Sequence, residues 1–286
     1  MATPTLYTQD LMRGQYAQVY SGSTGFATAP NALDGDVANR WSAGATSGIF
    51  VWGQSTAYAA IGWALANHNL NGATITVSWA TTAAGTYTQV DSITVSGNGD
   101  FVRIVNLGQH QYWKFAISGA SAAITIGEIS LLADYGVNSA GATANGANYG
   151  ALLLANEASL GLKRPIGRGI IPAQSDLRTA GGFVHRSRYG RGSQAWELNF
   201  ELMRGAGAGG TDYEWWKIQN SYDAATDALY TNPGWYKGVW LTLDDWNNTS
   251  NRAAYYLVPS GPLLWQITHA GGRVSATITF ESPTRG

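Results

Sequence analysis

The chain has 286 residues, no cysteine, a net charge of −1 and only 12% charged side chains against an equal 12% of aromatic ones. Lack of cysteine excludes disulfides, Cys–zinc sites, thiol catalysis and iron–sulfur clusters, and near-neutral charge gives no electrostatic footprint for nucleic acid. Its aromatic and β-branched content sets it apart from disordered chains. With no leader-like apolar core behind basic residues and no run of ~20 apolar residues, it is expected to fold in a cytoplasm without membrane insertion.

In chain order, residues 1–21 hold one short aromatic run and read as an N-terminal strand or arm, closed by the turn-rich SGSTG. Asn31–Gly44 (NALDGDVANRWSAG) then sets two aspartates, an Asp-Gly turn and a Trp into a chain otherwise sparing of charge. From there to Tyr135 strand signals dominate. Ala73–Thr82 alternates Ile75, Val77 and Trp79 against Thr74, Thr76 and Ser78, the pattern of a half-buried strand. TYTQVDSITVSG, FVRIVNL, YWKFAIS and ITIGEISLL continue it, punctuated by Asn71-Gly72, Ala84-Gly85, Asn98-Gly99 and Ser118-Gly119. Short strands with turns at this spacing predict an antiparallel sandwich or jelly roll over 22–136.

Residues 137–160 begin as almost pure Gly, Ala, Asn, Ser and Thr, the composition of a connector or extended arm. Residues 161–286 read as a second unit. FVHRSRYGRGSQAWELNFELMRG reads as two strands around a Gly turn, with Trp196, Leu198, Phe200 and Leu202 opposite Glu197, Asn199 and Glu201. Thr211–Leu229 reads as a helix opened by a Thr211/Glu214 capping box. VWLTLDDW, AAYYLVPSG, LLWQITHAG and RVSATITFESP are further strands. The expected fold is mainly β: an N-terminal jelly-roll sandwich and a C-terminal β-sandwich carrying one helix.

Chemistry-bearing residues are sparse. His68, His110, His185 and His269 stand apart, with no zinc spacing among them. There is no nucleophile elbow, Walker loop or dinucleotide fingerprint. Glu197 with Glu201 and Asp244 with Asp245 are the available carboxylate pairs. A glycosidase needs two carboxyls about 5–9.5 Å apart across a cleft; a solvated strand face and a hairpin turn explain these pairs more simply. Arg186, Arg188 and Arg191 fall in one predicted hairpin and suit a subunit contact, an acidic partner or a glycan. Trp215 and Trp216 cannot both face one core from a helix, which makes Trp215 a candidate interface anchor. Trp52 and Trp63, with Arg103, are the candidate saccharide contacts.

The order ALDGDVANRW, then FVRI, then GEISLLADYG resembles the discoidin, or coagulation-factor type C, family of galactose-binding-like jelly rolls. Ala32, Asp34, Gly35 and Trp41 match its opening, Phe101–Ile104 its late strand, and Glu128-Ile129 its close. Asn39-Arg40 stands where the family has Thr, and the disulfide of its extracellular members is absent. Microbial modules of this kind often hold a structural calcium. The resemblance thereby implies Asp34, Asp36, Asn39 and Glu128 as candidate calcium ligands, and sugar binding as a candidate activity. The alternative for Asp34 is a turn capped through its own backbone, with Trp41 entering the core.

The C-terminal half is similar in order and texture to distal tail and baseplate proteins of long-tailed bacteriophages. RYGRGSQAWELNFEL, DYEWWKIQNSYDAA and AYYLVPSGPLLWQITHAGGRVSATITFESP carry this likeness. It implies a non-enzymatic virion protein of the tail tip, made in the host cytoplasm, forming a homo-oligomeric ring with other tail proteins. Its jelly roll would contact host-surface glycan or brace the ring. The alternatives are a soluble carbohydrate-binding, lectin-like protein and a glycoside hydrolase using Glu197 or Asp244 with Asp245.

Overall fold

Two long strands that change layers organise the molecule. The computed structural model describes residues 5–7, 10–12, 17–133, 151–153, 167–171, 174–178, 184–188, 193–204, 238–242, 252–260, 264–269 and 273–282. Its elements are β1 (Thr5–Tyr7), β2 (Ala17–Val19), a 3₁₀ segment (Phe26–Leu33), β3 (Trp41–Ser42), β4 (Gly48–His68), β5 (Thr74–Ala80), β6 (Thr88–Thr94), β7 (Phe101–Ser118) and β8 (Thr125–Ala133). There follow β9 (Ala151–Leu153), β10 (Gly167–Ile171), β11 (Gln174–Arg178), β12 (Val184–Arg188), β13 (Ser193–Arg204), β14 (Val239–Thr242), β15 (Arg252–Pro259), β16 (Leu264–His269) and β17 (Arg273–Ser282).

The first halves of β4 and the second half of β7 belong to one sheet, in the antiparallel order β2-β4-β7-β5-β6. The other halves belong to a second sheet, ordered β3-β8-β4-β7. FVRIVNL and YWKFAIS, which read as two strands, are one strand, β7. The chain turns between layers around Gly108, whose φ of 81° is open to Gly without strain. On β4 the register shifts between Gly53 and Tyr58 and again between Ala60 and Gly62, where a Cβ on Gly62 would lie 2.3 Å from the Arg103 carbonyl oxygen. Such bulges let a strand bend from one layer to the next.

The two sheets face each other across an aromatic core. Strand alternation brings Phe50, Trp52, Ile75, Val77, Trp113 and Phe115 inward from the first sheet, and Trp63, Leu65, Phe101, Ile129 and Leu131 from the second. Trp63 meets Phe115 at 6.0 Å and Phe101 at 5.3 Å, edge to face, and Trp41 meets Phe50 at 5.2 Å. These are favoured aromatic geometries. Trp41 enters the core as read from the sequence, donating its indole N–H to the Thr24 carbonyl at 2.7 Å.

The second sheet is covered on its other face as well. Ala64, Ala66, Val102, Ser130 and Leu132 turn away from the aromatic core and meet Tyr7, Trp240, Ala254 and Tyr256. Those residues come from a third layer ordered β9-β1-β14-β15. Its β15 also reaches the edge of β7 through Arg252 and Ala253. Trp240 Nε1 donates to Ser130 Oγ at 2.9 Å, joining residues 110 apart in sequence. The TLY run near the N-terminus is therefore a central strand, paired on both sides, and residues 151–153 of the Gly/Ala-rich segment supply one of its partners.

Beyond this, β10, β13, β17 and β16 form a further antiparallel array, in which β17 also takes the end of β15. The alternation read in AWELNFEL holds at Trp196 and Leu198, which are buried, and Glu197, which is exposed. The expected β12–β13 hairpin is corrected: β12 pairs with β11, while β13 pairs with β10 and β17. Alternation fixes which face of a strand is buried, not which neighbour it takes. The helix expected at Thr211–Leu229 and the arm at Gly136–Gly150 lie outside the described residues.

Candidate functional site

The Asp-Gly corner is a joint between layers. Asp34 Oδ1 accepts the Asp36 amide at 2.7 Å and Oδ2 accepts Asn39 Nδ2 at 2.9 Å. Asp36 Oδ1 accepts the Ala38 amide at 2.9 Å. This is the turn chemistry of a short acidic side chain bonding its own backbone two residues on. Gly35, at φ 84°, donates its amide to Glu128 Oε2 at 3.1 Å, and its carbonyl accepts the Tyr256 hydroxyl at 3.3 Å. Val37 is buried among Trp240, Ala254 and Tyr256, and its carbonyl accepts Asn67 Nδ2 at 2.6 Å. The loop is thus held from below by fully buried Glu128 and from above by β15.

The four candidate calcium ligands do converge on this corner. Calcium takes about six to eight oxygens, mostly carboxylate and carbonyl. Here both Asp34 oxygens, one oxygen each of Asp36 and Glu128, and the Gly35 and Val37 carbonyls already accept N–H or O–H donors. Among the described residues no three His, Asp or Glu side chains gather closely enough to hold a metal ion. In this arrangement these oxygens serve the loop's own hydrogen bonds.

Of the three candidate saccharide contacts, the two tryptophans lie inside and Arg103 is partly buried. Trp52 and Trp63 are both fully buried, so neither indole offers a face to a sugar; both are core residues, a correction to their expected role. Arg103 is drawn inward by Asp91, with Nε–Oδ2 at 2.6 Å and Nη2–Oδ1 at 2.7 Å. Trp63 Nε1 donates to the same Asp91 Oδ2 at 2.9 Å. Asp91 sits on β6 of one sheet, while Trp63 and Arg103 sit on β4 and β7 of the other, so one carboxylate ties the two layers together. Burial pushes the Asp91 pKa up, but the hydrogen bonds from Arg103 and Trp63 and the Arg103 charge outweigh it and hold the carboxyl below its usual range.

The remaining candidates divide by position. Arg186 and Arg188 are on β12, whose side chains are outside the described set, as are Arg191, Trp215, Asp244 and Asp245. Glu197 is exposed and accepts Asn199 Nδ2 at 2.6 Å. His68 is buried, with Nε2 against the Gly99 carbonyl at 2.9 Å, a structural role for a lone histidine.

Two aromatic groups at the surface escaped the sequence reading. At one end of the sandwich Trp79 and His110, both half-buried, stack at 3.7 Å with an interplanar angle of 6°. On the outer face of the first sheet Tyr20, Tyr87 and Tyr112 gather with Lys114. Tyr20 and Tyr112 meet edge to face at 5.5 Å, and Lys114 Nζ stands 4.5 Å from the centre of the Tyr87 ring. The signal for this cluster lay in the outward parity of Tyr112 and Lys114 on the YWKFAIS strand; Tyr20 and Tyr87 join it from elsewhere in the chain.

No protein-family model and no curated protein sequence matches the chain. Solved structures similar to part of it include a Ruminococcus gnavus GH29 fucosidase, at 16% identity over 44% of this chain and 27% of that one, with a TM-score of 0.36. Chitosan-binding module 1 from a Paenibacillus chitosanase/glucanase matches at 16% identity, 43% of this chain and 98% of that one, TM-score 0.35. The module CpGH89CBM32-6 of Clostridium perfringens matches at 15% identity, 44% and 99%, TM-score 0.37. This chain thus spans about a quarter of the fucosidase and nearly all of each module, at likenesses too low to constrain fold or function.

Proposed function

We propose that the chain is a non-catalytic structural subunit of a phage tail tip or baseplate, whose N-terminal sandwich contacts glycan on the host surface. The observation that carries this reading is the double burial of the second sheet. A carbohydrate-binding module that worked as a separate bead would leave that outer face to solvent; here Tyr7, Trp240 and Tyr256 seal it, building the sandwich into the rest of the chain. The order of the C-terminal strands, with β13 laid along the final β17, supports the tail-protein reading of that half. Charge is sparse, at 12% of the chain, as suits a subunit whose neighbours cover part of its surface. The Asp34 corner works in this scheme as a hydrogen-bonded joint that needs no cation.

Light scattering on the full chain after size exclusion tests the reading. A ring-sized homo-oligomer, or one formed on adding neighbouring tail proteins, is expected. A strict monomer that binds a defined sugar would favour the lectin-like alternative instead. Turnover of a glycan that disappears in Glu197→Gln with binding intact would favour the hydrolase.

A further inference from the structure

The outer face of the first sheet is hydroxyl-rich on β5 and β6 and carries apolar and aromatic groups on β4 and β7. Strand parity turns Thr74 and Thr76 outward from β5, and Ser92 and Thr94 from β6, with Thr76 and Ser92 hydroxyls 3.3 Å apart and Thr74 and Thr94 at 3.5 Å. From β7 come Tyr112, Lys114, Ala116 and Ser118, and from β4 Ile49 is exposed while Val51 and Gly53 are covered. Among the described residues of these five strands, Lys114 is the one ionic side chain on this face; Asp91 points inward to Arg103. At about 4.8 Å per strand the face is about 20 Å wide, broad enough for an oligosaccharide.

The tyrosines stand at one side of this hydroxyl carpet on a floor made by Gly53. A Cβ there would lie 2.4 Å from Tyr112 Cδ1 and 3.1 Å from Tyr20 Cε2, so both rings lie down on the sheet only because residue 53 is glycine. Tyr87 is fixed beside them by its hydroxyl, which donates to the Ala83 carbonyl at 2.9 Å. Burial, then the neighbouring phenols, push Tyr20 and Tyr87 above the usual tyrosine range, which keeps them neutral donors. Tyr rings joined to hydroxyl donors give an amphipathic surface matching the apolar C–H faces and oxygen-rich edges of a sugar.

We infer that Tyr20, Tyr87, Tyr112 and Lys114, above Gly53, form a binding platform for a carboxylated oligosaccharide, with the Lys114 ammonium receiving the carboxylate. The inference rests on the glycan-contact half of the proposed function and gives it a site and a ligand class. A single lysine, with no acid on the face among the described residues, selects an anion. It also argues against a two-fold contact with a second copy, in which the same patch would face itself and Lys114 would meet no carboxylate.

The test is calorimetric titration of the full chain with oligomers of galacturonate, mannuronate and glucuronate, with methyl-esterified oligogalacturonate as the neutral counterpart and polyglutamate as a charge control. Saturable binding of at least one acidic oligomer, weaker for the ester and absent for polyglutamate, is expected. Lys114→Gln should weaken it about tenfold or more, as should Tyr112→Ala, while Tyr20→Phe, which keeps the ring, should weaken it less. Unchanged melting shows that these surface variants remain folded. No saturable binding of any acidic oligomer, equal binding of polyglutamate, or affinity unchanged in Lys114→Gln overturns the site. Self-association abolished by Lys114→Gln also overturns it, in favour of a second copy. Neutral-glycan binding that survives Lys114→Gln and Tyr112→Ala removes this platform but leaves the glycan-contact reading standing.

Discussion

Replacing Arg103 by Met separates a structural clamp from a ligand contact. Asp91 and Arg103 side chains expose only 5% and 18% of their surface, and the guanidinium meets the carboxylate through two short hydrogen bonds. Removing one partner of a buried pair costs about 3–5 kcal/mol, because a charge is left buried alone. Here Trp63 still donates to Asp91, and Arg103 reaches the sandwich edge, so the loss in Arg103→Met is about 2–3 kcal/mol. Urea unfolding reads this as a lower midpoint at unchanged slope. The double variant Arg103→Met/Asp91→Leu should cost about 1–2 kcal/mol less than the sum of its singles. Because the Asp91 carboxyl sits below its usual range, its stabilisation is complete above the unfolded value of about 3.9 and fades as pH falls through the lower folded value. Arg103→Met should therefore lose least relative to the parent at the acid end. A change under about 0.5 kcal/mol, or lost saccharide affinity with stability intact, would refute the clamp.

Three further outcomes follow from the same structure. Trp240→Phe removes the bond to Ser130 and should cost about 1 kcal/mol, whereas Trp240→Ala opens the joint between layers and should cost about 3–5 kcal/mol by chemical denaturation. Calcium, or a chelator in its place, should leave the melting temperature unmoved; a calcium-dependent rise lost in Asp34→Asn would show that the corner rearranges to bind the ion. Burial holds His110 below the usual histidine range against Trp79, so stability should fall as pH drops through the unfolded value of about 6.5, and His110→Gln should flatten that slope.

The strands were legible in the sequence wherever alternation was local. Ile75 and Val77 are buried as read, and the turn chemistry of Asp34-Gly35 is the one expected of that dipeptide. What the corner is for could not be read, because Tyr256 reaches Gly35 across 221 residues. Nor could the position of Trp52 and Trp63: alternation gives a strand two faces, and β4 passes between layers, so bulk alone suggested exposed platforms where the fold has core. The three residues of β1 are too few to show a period, although they lie at the centre of a layer. The tyrosine cluster was hidden for the same reason: its members come from the residue after β2, the loop before β6, and β7.

Hydrogen exchange on the full chain, followed amide by amide, tests most directly whether the N-terminal sandwich and the C-terminal strands are one body. Amides of Ala64, Val102 and Ser130 in the second sheet and of Trp240 and Tyr256 in the covering layer should open together, with one common free energy, as expected of a single cooperative unit. Exchange in β14 and β15 that runs far ahead of the second sheet would show a separable module, and the integrated subunit would then be the wrong description.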